Sequence, residues 1–166
     1  MGGGQEKNYR SGTENLHSIL GFVKSLEIAT KNYAQYGSHV SRLRERLESK
    51  LTKSASTTIG HNIKRIPNTS NIAMHNVSAE VQLIKFDLNN IAVSSGSSCS
   101  AGKIGQSHVL KAMGIEQKLI NSSIRVSLNE SNTEEDIDYF ITIWNQIADE
   151  SISTVDKNKS VKVKVA

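Results

Sequence analysis

The feature that most constrains the fold is a periodic apolar pattern that runs for about forty residues near the start of the chain. Apolar residues recur mostly at three- and four-residue spacing from Leu16 to Ile28 and again from Val40 to Leu51, which is typical of amphipathic helices. Gly37 lies between the two stretches and marks either a helix end or a kink. A helix of residues 14–53 is much longer than the usual helix of a small domain, so it is predicted to connect two lobes.

Polar residues around this segment predict how the helix starts and which side meets solvent. Ser11 with Glu14 has the spacing of a capping box, and Thr13 is an alternative N-cap. The apolar stripe of the first stretch is expected to be partly exposed when the chain is alone. The second stretch has a charged face that is predicted to be solvated and paired along the helix, formed by Arg42, Arg44, Glu45, Arg46 and Glu48.

The region from residue 54 to residue 150 alternates short strands with helices, which indicates α/β or α+β layers. Residues 54–58 are predicted to be a polar connection. Strands are predicted at residues 71–77, 91–93 and 123–128. Helices are predicted at residues 79–88, at 107–113 and from residue 132 onward. In the first of these helices, the side chains predicted to face inward are Val81, Ile84 and Leu88, and residues 151–166 are predicted to be a disordered tail.

Composition excludes several classes of protein. The 166 residues provide one ordinary domain and are few for a two-lobed cofactor enzyme. The net charge of +4 comes partly from lysines at a helix end and in the last ten residues, so a dedicated nucleic-acid binder is not predicted. No run approaches ~20 apolar residues, so no transmembrane helix is expected. The start of the sequence has no apolar region, so no secretory signal is expected.

The single cysteine, Cys99, lies in a loop of serines and glycines. One cysteine excludes an intrachain disulfide framework and a cysteine-rich zinc site, and it suits a reducing cytosol or organelle matrix. Small polar neighbours and Lys103 favour a thiolate, which is the reactive form of the side chain. The residues alone leave two alternatives open, a reactive thiol and an incidental exposed one.

Three further features have both a structural and a functional interpretation. Gly2, Gly3 and Gly4 precede a helix start, which suits either a phosphate-binding loop or a flexible loop. Arg125 interrupts an apolar strand, so it is predicted to bind a ligand carboxylate or to form a structural ion pair. The histidines have no metal-ligand spacing, and a metal site is not predicted; they are His17, His39, His61, His75 and His108.

Three pairs of segments carry the motifs of this chain. They are Gly2–Glu6 with Arg10–Asn15, Ala92–Cys99 with Ser107–Gly114, and Asn121–Leu128 with Thr133–Asp138. Together the pairs resemble one family, the NifS/IscS-type cysteine desulfurases. The first pair resembles the segment after the cofactor lysine, the second the catalytic-cysteine loop and next helix, and the third the substrate-arginine strand and last helix. The similarity covers about residues 2–148, with the order and spacing of the motifs kept.

The resemblance implies a pyridoxal phosphate (PLP) enzyme of fold-type I, class V aminotransferase, normally a homodimer that converts L-cysteine to L-alanine. Cys99 matches the residue that carries the sulfur as a persulfide, and Arg125 matches the arginine that holds the substrate carboxylate. Thr13 matches the threonine that reaches the cofactor phosphate of the neighbouring subunit. The sulfur then passes to an iron–sulfur scaffold protein or to tRNA thiolation.

The resemblance also implies that the chain is the C-terminal part of such an enzyme. The family's Schiff-base lysine lies upstream of the glycine run, and neither Lys7 nor Lys103 falls at a matching position. The expected parts are the end of the large cofactor domain (1–13), a bridging helix (14–53), an α+β small domain of mixed sheet and helices (54–150) and the tail. The chain alone is therefore expected to be inactive. The alternative is a non-enzymatic remnant or a module that binds a full-length desulfurase.

Overall fold

The computed structural model describes residues 2–51, 56–96 and 107–160, and for residues 152–160 it describes the backbone alone. The chain divides into two compact units, Met1–Tyr36 and Gly37–Ala166. The division falls inside helix α1, Leu16–Lys50, which passes through Gly37 without interruption. The predicted long helix is therefore present, and Gly37 does not end it.

The first unit contains a 3-10 turn, Gln5–Asn8, followed by the start of α1. The helix is capped by Asn15, whose Oδ1 accepts a hydrogen bond from the backbone N–H of Ser18 at 3.2 Å. The prediction that Ser11 or Thr13 caps this helix is wrong. Residues 11–15 are not helical, so neither of those side chains stands one residue before the first turn.

The first half of α1 presents apolar side chains to solvent, as expected for this chain alone. Each of these residues is about half exposed or more, and none is buried. They are Leu16, Ile19, Leu20, Phe22, Val23, Leu26, Ile28 and Tyr33. Exposed apolar area of this extent marks an interaction surface.

The second unit is a four-stranded antiparallel sheet packed with helices. The strands are β1 (Ser56–Ile59), β2 (Thr69–Met74), β3 (Ser94–Ser95) and β4 (Ser123–Ser127), in the order β1-β2-β4-β3. The helices are α2 (Ala79–Leu88), α3 (His108–Ala112), α4 (Gln117–Asn121) and α5 (Glu134–Ser160). Strands with helices between them match the predicted α+β organisation.

Several element boundaries differ from the predictions. Residues 56–58, predicted as part of a polar connection, form β1 together with Ile59, because the threonines there pair with β2. The predicted strand at residues 91–93 is wrong, and the strand begins at Ser94. The chain still turns at Asn90, which has a positive φ of 57°, so it reaches the sheet edge only at Ser94. Helix α5 continues through Ser160, so residues 151–160 are helical rather than a disordered tail, and residues 161–166 lie outside the description.

The core combines the second half of α1, one face of the sheet, α2 and α5. Val40, Leu43 and Leu47 are buried, as their spacing predicts. In α5 the predicted inward face is also buried, and Phe140 stacks on Phe86 of α2 with ring centroids 4.7 Å apart. The buried α5 residues of that face are Ile137, Phe140, Ile141, Trp144 and Ile147.

The predicted inward face of α2 is wrong. Val81, Ile84 and Leu88 are 42%, 62% and 76% exposed, whereas Gln82 and Phe86 are completely buried. The Gln82 amide donates to the carbonyl oxygens of Val77 at 3.0 Å and Ser122 at 2.7 Å. These two bonds make a polar side chain stable in the core, and they rotate the helix away from the face that hydropathy alone selects.

The charged face of α1 is also less solvated than predicted. Glu48 is largely buried and forms a two-point ion pair with Arg65, at 2.8 and 2.9 Å, while Ser70 donates to it at 2.7 Å. Burial by itself raises the pKa of Glu48, but the hydrogen bonds from Arg65 and Ser70 and the positive charges nearby outweigh it. The net effect holds the pKa of Glu48 below its ordinary value.

This ion pair predicts how stability depends on pH. Because the folded-state pKa of Glu48 is lowered, its contribution is present above the unfolded pKa of about 4.3 and is lost as pH falls through the folded pKa. We expect Glu48→Gln to reduce the free energy of unfolding by about 1–2 kcal/mol at neutral pH, and by progressively less at acidic pH. Urea denaturation between about pH 7 and about pH 3 measures this difference.

The control for that experiment is Glu45→Gln, on the same helix and exposed. We expect Glu45→Gln to change the free energy of unfolding by no more than about 0.5 kcal/mol at every pH. If the difference in free energy of unfolding between the parent chain and Glu48→Gln does not change with pH, the ionised Glu48 carboxylate is not the source of that stability.

A second group of charges joins α1 to α5. Arg46 donates two hydrogen bonds to Asp138, at 2.9 and 2.7 Å, and Lys50 donates a third. These hydrogen bonds hold the pKa of Asp138 well below its usual range. The start of α5 is therefore fixed to the end of α1 by charge as well as by apolar packing.

Candidate functional site

Arg125 lies on β4, an inner strand of the sheet, and its side chain is exposed. The strand alternates, with Ile124 and Val126 buried and with Arg125 and Ser127 on the opposite face. The arginine therefore interrupts the apolar sequence without entering the core.

The register of the sheet places one side chain on each side of Arg125. Asn71 on β2 is its direct partner on one side, and Ser94 on β3 is its direct partner on the other. Ile59 on β1 pairs in turn with Asn71. The Arg125 Nη2 group donates a long hydrogen bond, 3.5 Å, to the Ser94 hydroxyl. We call Ser94, Arg125 and Asn71 the polar row.

Arg125 was predicted either to bind a ligand carboxylate or to form a structural ion pair. Within the described ranges, no carboxylate lies within 4.0 Å of its guanidinium. The structural ion pair that the sequence left open is therefore not formed by those residues. An exposed guanidinium that retains most of its N–H donors is suited to a planar anion such as a carboxylate.

Cys99 lies outside the described residues, as does Lys103. The described residues on either side of that segment are close together, because a Cβ added at Gly96 would lie 3.5 Å from the Cβ of Ser107. Ser107 caps α3 as predicted, and its Oγ accepts from the N–H of Leu110. Gly96 and Ser107 therefore lie together at the end of β3, the strand that pairs with Arg125.

Thr13 belongs to the first unit and is exposed. Since Asn15 caps the helix, the Thr13 hydroxyl is not used as a cap, and no hydrogen bond to it is found among the described residues. The Arg10 guanidinium donates to the carbonyl oxygens of Gly12 at 2.7 Å and Thr13 at 3.0 Å. A free hydroxyl beside a positive charge is suited to an anionic group.

The glycine run has a packing role in the structure. A Cβ at Gly2 would come within 2.1 Å of the Ser11 Cβ, and a Cβ at Gly3 within 2.5 Å of the Gln5 side chain. Close approach therefore requires glycine at Gly2, whereas the flexible end of the Gln5 side chain could move away from a Cβ at Gly3, and the packing at Gly2 agrees with the loop interpretation. The phosphate-binding interpretation stays a prediction.

One groove of about 310 Å³ lies in the second unit. Its carboxylate, Asp136, accepts hydrogen bonds from the Thr133 N–H at 3.0 Å and from the Asn132 amide, while the Thr133 hydroxyl accepts from the Asp136 N–H at 3.2 Å, so the two residues form a capping box at the start of α5. Arg125 does not line this groove, and most of its lining residues are apolar or uncharged. The groove therefore offers no free charged group for chemistry.

The described residues offer neither a cluster of metal-ligating side chains nor a membrane-spanning helix. Residues 2–51, 56–96 and 107–151 contain no group of three or more His, Cys, Asp or Glu side chains arranged to hold a metal ion. His39 and His75 instead form hydrogen bonds to Asn132 and Thr57. Among the helices in the described part of the chain, none is long and apolar enough to cross a membrane.

The structure thus brings Arg125 together with two residues that the sequence did not identify, Asn71 and Ser94. Thr13 belongs to the first unit, whereas Arg125, Asn71 and Ser94 belong to the second. The only signal for Asn71 was its position in a predicted strand, and no feature of the sequence specifies its partner. Pairing between strands about fifty residues apart depends on register, which local patterns do not encode.

Comparison with known proteins matches the chain to one family. The model of the family described as Aminotransferase class-V matches residues 3–140. The chain is 35% identical over 144 residues to cysteine desulfurase IscS 1 of Archaeoglobus fulgidus, covering 86% of this chain and 38% of the relative. It is 38% identical over 143 residues to cysteine desulfurase IscS of Mannheimia succiniciproducens, covering 86% of this chain and 35% of that relative.

Solved structures agree with the sequence comparisons. A NifS-like protein from Rickettsia africae superposes with a TM-score of 0.76 at 42% identity, covering 90% of this chain and 39% of that one. A second NifS-like protein superposes with a TM-score of 0.75 at 32% identity, covering 88% and 37%. The expected fold class is confirmed. The chain spans less than two fifths of the length of these relatives.

Proposed function

This chain belongs to the aminotransferase class-V family as a homologue of the IscS- and NifS-type cysteine desulfurases, and from that premise we propose that it is the C-terminal part of a PLP-dependent cysteine desulfurase. The reaction converts L-cysteine to L-alanine and leaves the sulfur on the enzyme. The observation that supports this most is Arg125, an exposed guanidinium with no carboxylate partner among the described residues and at the position that matches the substrate arginine.

In the proposed mechanism, Arg125 binds the substrate carboxylate through two parallel hydrogen bonds. That contact fixes the orientation of the amino acid. Cys99 then attacks the substrate sulfur as a thiolate, the carbon–sulfur bond breaks, and Cys99 becomes a persulfide as L-alanine forms. Gly96 and Ser107, the described residues that flank the Cys99 segment, lie close together at the end of the strand paired with Arg125, which supports a common site for Cys99 and Arg125.

The residues of the first unit fit one part of the PLP cofactor. PLP has a phosphate group, and the free hydroxyl of Thr13 beside Arg10 is suited to it. We propose that Thr13 holds the phosphate of the cofactor bound to the neighbouring subunit of a homodimer. When bound, the cofactor supplies the electron sink for bond breaking at the substrate. The lysine that holds it in the family has no match within these 166 residues, so we propose that the chain alone is inactive.

The proposed partners follow from the same chemistry. The persulfide on Cys99 requires a thiol acceptor, and an iron–sulfur scaffold protein or a tRNA-thiolation protein is the proposed recipient. A reducing cytosol or organelle matrix is the proposed compartment, since a thiolate carrier must stay reduced between turnovers.

The experiment that tests this proposal supplies the rest of the enzyme. The part of the Archaeoglobus fulgidus relative that the match does not cover is fused ahead of Gly2, and the purified protein is given PLP, L-cysteine and a thiol reductant. We expect L-alanine and sulfide in equal amounts from the fused protein and none from the chain alone. A fused protein that folds and binds PLP but releases no alanine would contradict the proposal.

The exposed apolar face on the first half of α1 supports a second candidate function. A chain with this face could bind a full-length desulfurase without taking part in catalysis. Co-expression of the chain with the complete relative distinguishes the two. A stable complex whose activity is unchanged by removal of the Cys99 thiol favours the binding module.

A further inference from the structure

One member of the polar row has a hydrogen-bonding group with no partner. The Oδ1 atom of Asn71 is buried, and no hydrogen bond to it is found in the described part of the chain. Beyond Asn71 in the same row, Ile59 is buried with Leu110 and Ile120, so apolar packing closes that side. A buried acceptor without a donor destabilises a fold. Its presence next to a functional side chain therefore requires a reason.

The residue paired directly with Asn71 on β4 is Arg125, whose guanidinium is rich in N–H donors. Directly paired residues of antiparallel strands have Cβ atoms about 4.5–5.5 Å apart and lie on one face. Asn71 and Ser94 therefore stand on either side of the Arg125 side chain. The guanidinium has five N–H donors, and in the described residues only the long bond to Ser94 uses one.

We propose that Asn71 is a positioning residue that, with Ser94, holds the Arg125 guanidinium while it binds the carboxylate of an amino-acid substrate. This inference rests on the proposed function. A carboxylate takes two parallel N–H donors, which leaves donors at the sides of the guanidinium for Asn71 Oδ1 and Ser94 Oγ. Asn71 itself does not touch the substrate. It reduces the number of orientations that Arg125 samples before the substrate arrives.

The first test needs no substrate or cofactor. Asn71→Val and Asn71→Thr have nearly the same shape and both suit a strand, but only threonine keeps an oxygen acceptor. In the 166-residue chain, NMR measures the rate at which the Arg125 Nε–H exchanges with water. We expect Asn71→Val to raise that rate about three- to tenfold and Asn71→Thr to raise it less.

The second test uses the fused enzyme. Asn71→Val is expected to raise KM for L-cysteine about tenfold and to change kcat by less than about threefold, because an unfixed arginine weakens binding of the carboxylate. Asn71→Thr is expected to recover part of the loss.

Two outcomes overturn the inference. They are an unchanged Arg125 exchange rate in Asn71→Val and, in the fused enzyme, a KM for L-cysteine equal to that of the parent. If the parent fused protein forms no alanine, the proposed function fails, and the exchange measurement then tests the positioning of Arg125 by itself.

Discussion

Replacement of Cys99 by serine will reduce sulfur transfer in the fused enzyme by more than about 10³-fold. A serine hydroxyl is not ionised near neutral pH and is a far weaker nucleophile toward sulfur than a thiolate. Binding of L-cysteine, followed through the absorbance of the cofactor, is expected to continue, because Arg125 and the cofactor contacts remain. Alanine and sulfide formation, measured in the same sample, are expected to fall together.

The location of the sulfur gives this prediction a direct readout. Cys99 is the single cysteine of the 166 residues, so alkylation and mass spectrometry of its peptide identify the persulfide without ambiguity in this part of the protein. Cys99→Ala should match Cys99→Ser, and Ser98→Ala, which keeps the thiol, should retain activity. Persulfide on another peptide, with alanine formation unchanged in Cys99→Ser, would refute the role of Cys99.

Replacement of Arg125 by alanine will lower kcat/KM for L-cysteine by about 10²–10³-fold, which corresponds to about 3–4 kcal/mol. The reason is the loss of a charged two-point contact with the substrate carboxylate. Arg125→Lys keeps the charge but not the two-point geometry, so we expect it to recover only part of the activity.

A substrate without a carboxylate separates this role from a structural one. Cysteamine lacks the group that Arg125 is proposed to bind, so the preference for L-cysteine over cysteamine should collapse in Arg125→Ala. Ser127→Ala alters the same exposed face of β4 and serves as the control, with activity near that of the parent. An Arg125→Ala enzyme that keeps the full preference for L-cysteine would show that another group binds the carboxylate.

The sequence by itself determined the family, the buried faces of the second half of α1 and of α5, the cap of α3, and Cys99, Arg125 and Thr13 as candidate residues. These features are local, because apolar periodicity, caps and motif order are properties of residues near one another in the chain. The apolar pattern predicted the wrong buried face for α2, where a polar side chain is buried. The Gln82 amide, for example, is buried because it bonds to two carbonyl oxygens.

The tertiary structure decided the partners. Glu48 pairs with Arg65 instead of a helix neighbour, Asn15 rather than Thr13 caps α1, and Asn71 stands beside Arg125. The two pairings depend on which segments meet and in what register, and those choices follow from packing of the whole core rather than from local spacing. The cap depends on which side chain stands directly before the first helical turn, and the non-helical path of residues 11–15 sets that. Arg125 could be found in the sequence, but the residues beside it could be found only in the folded sheet.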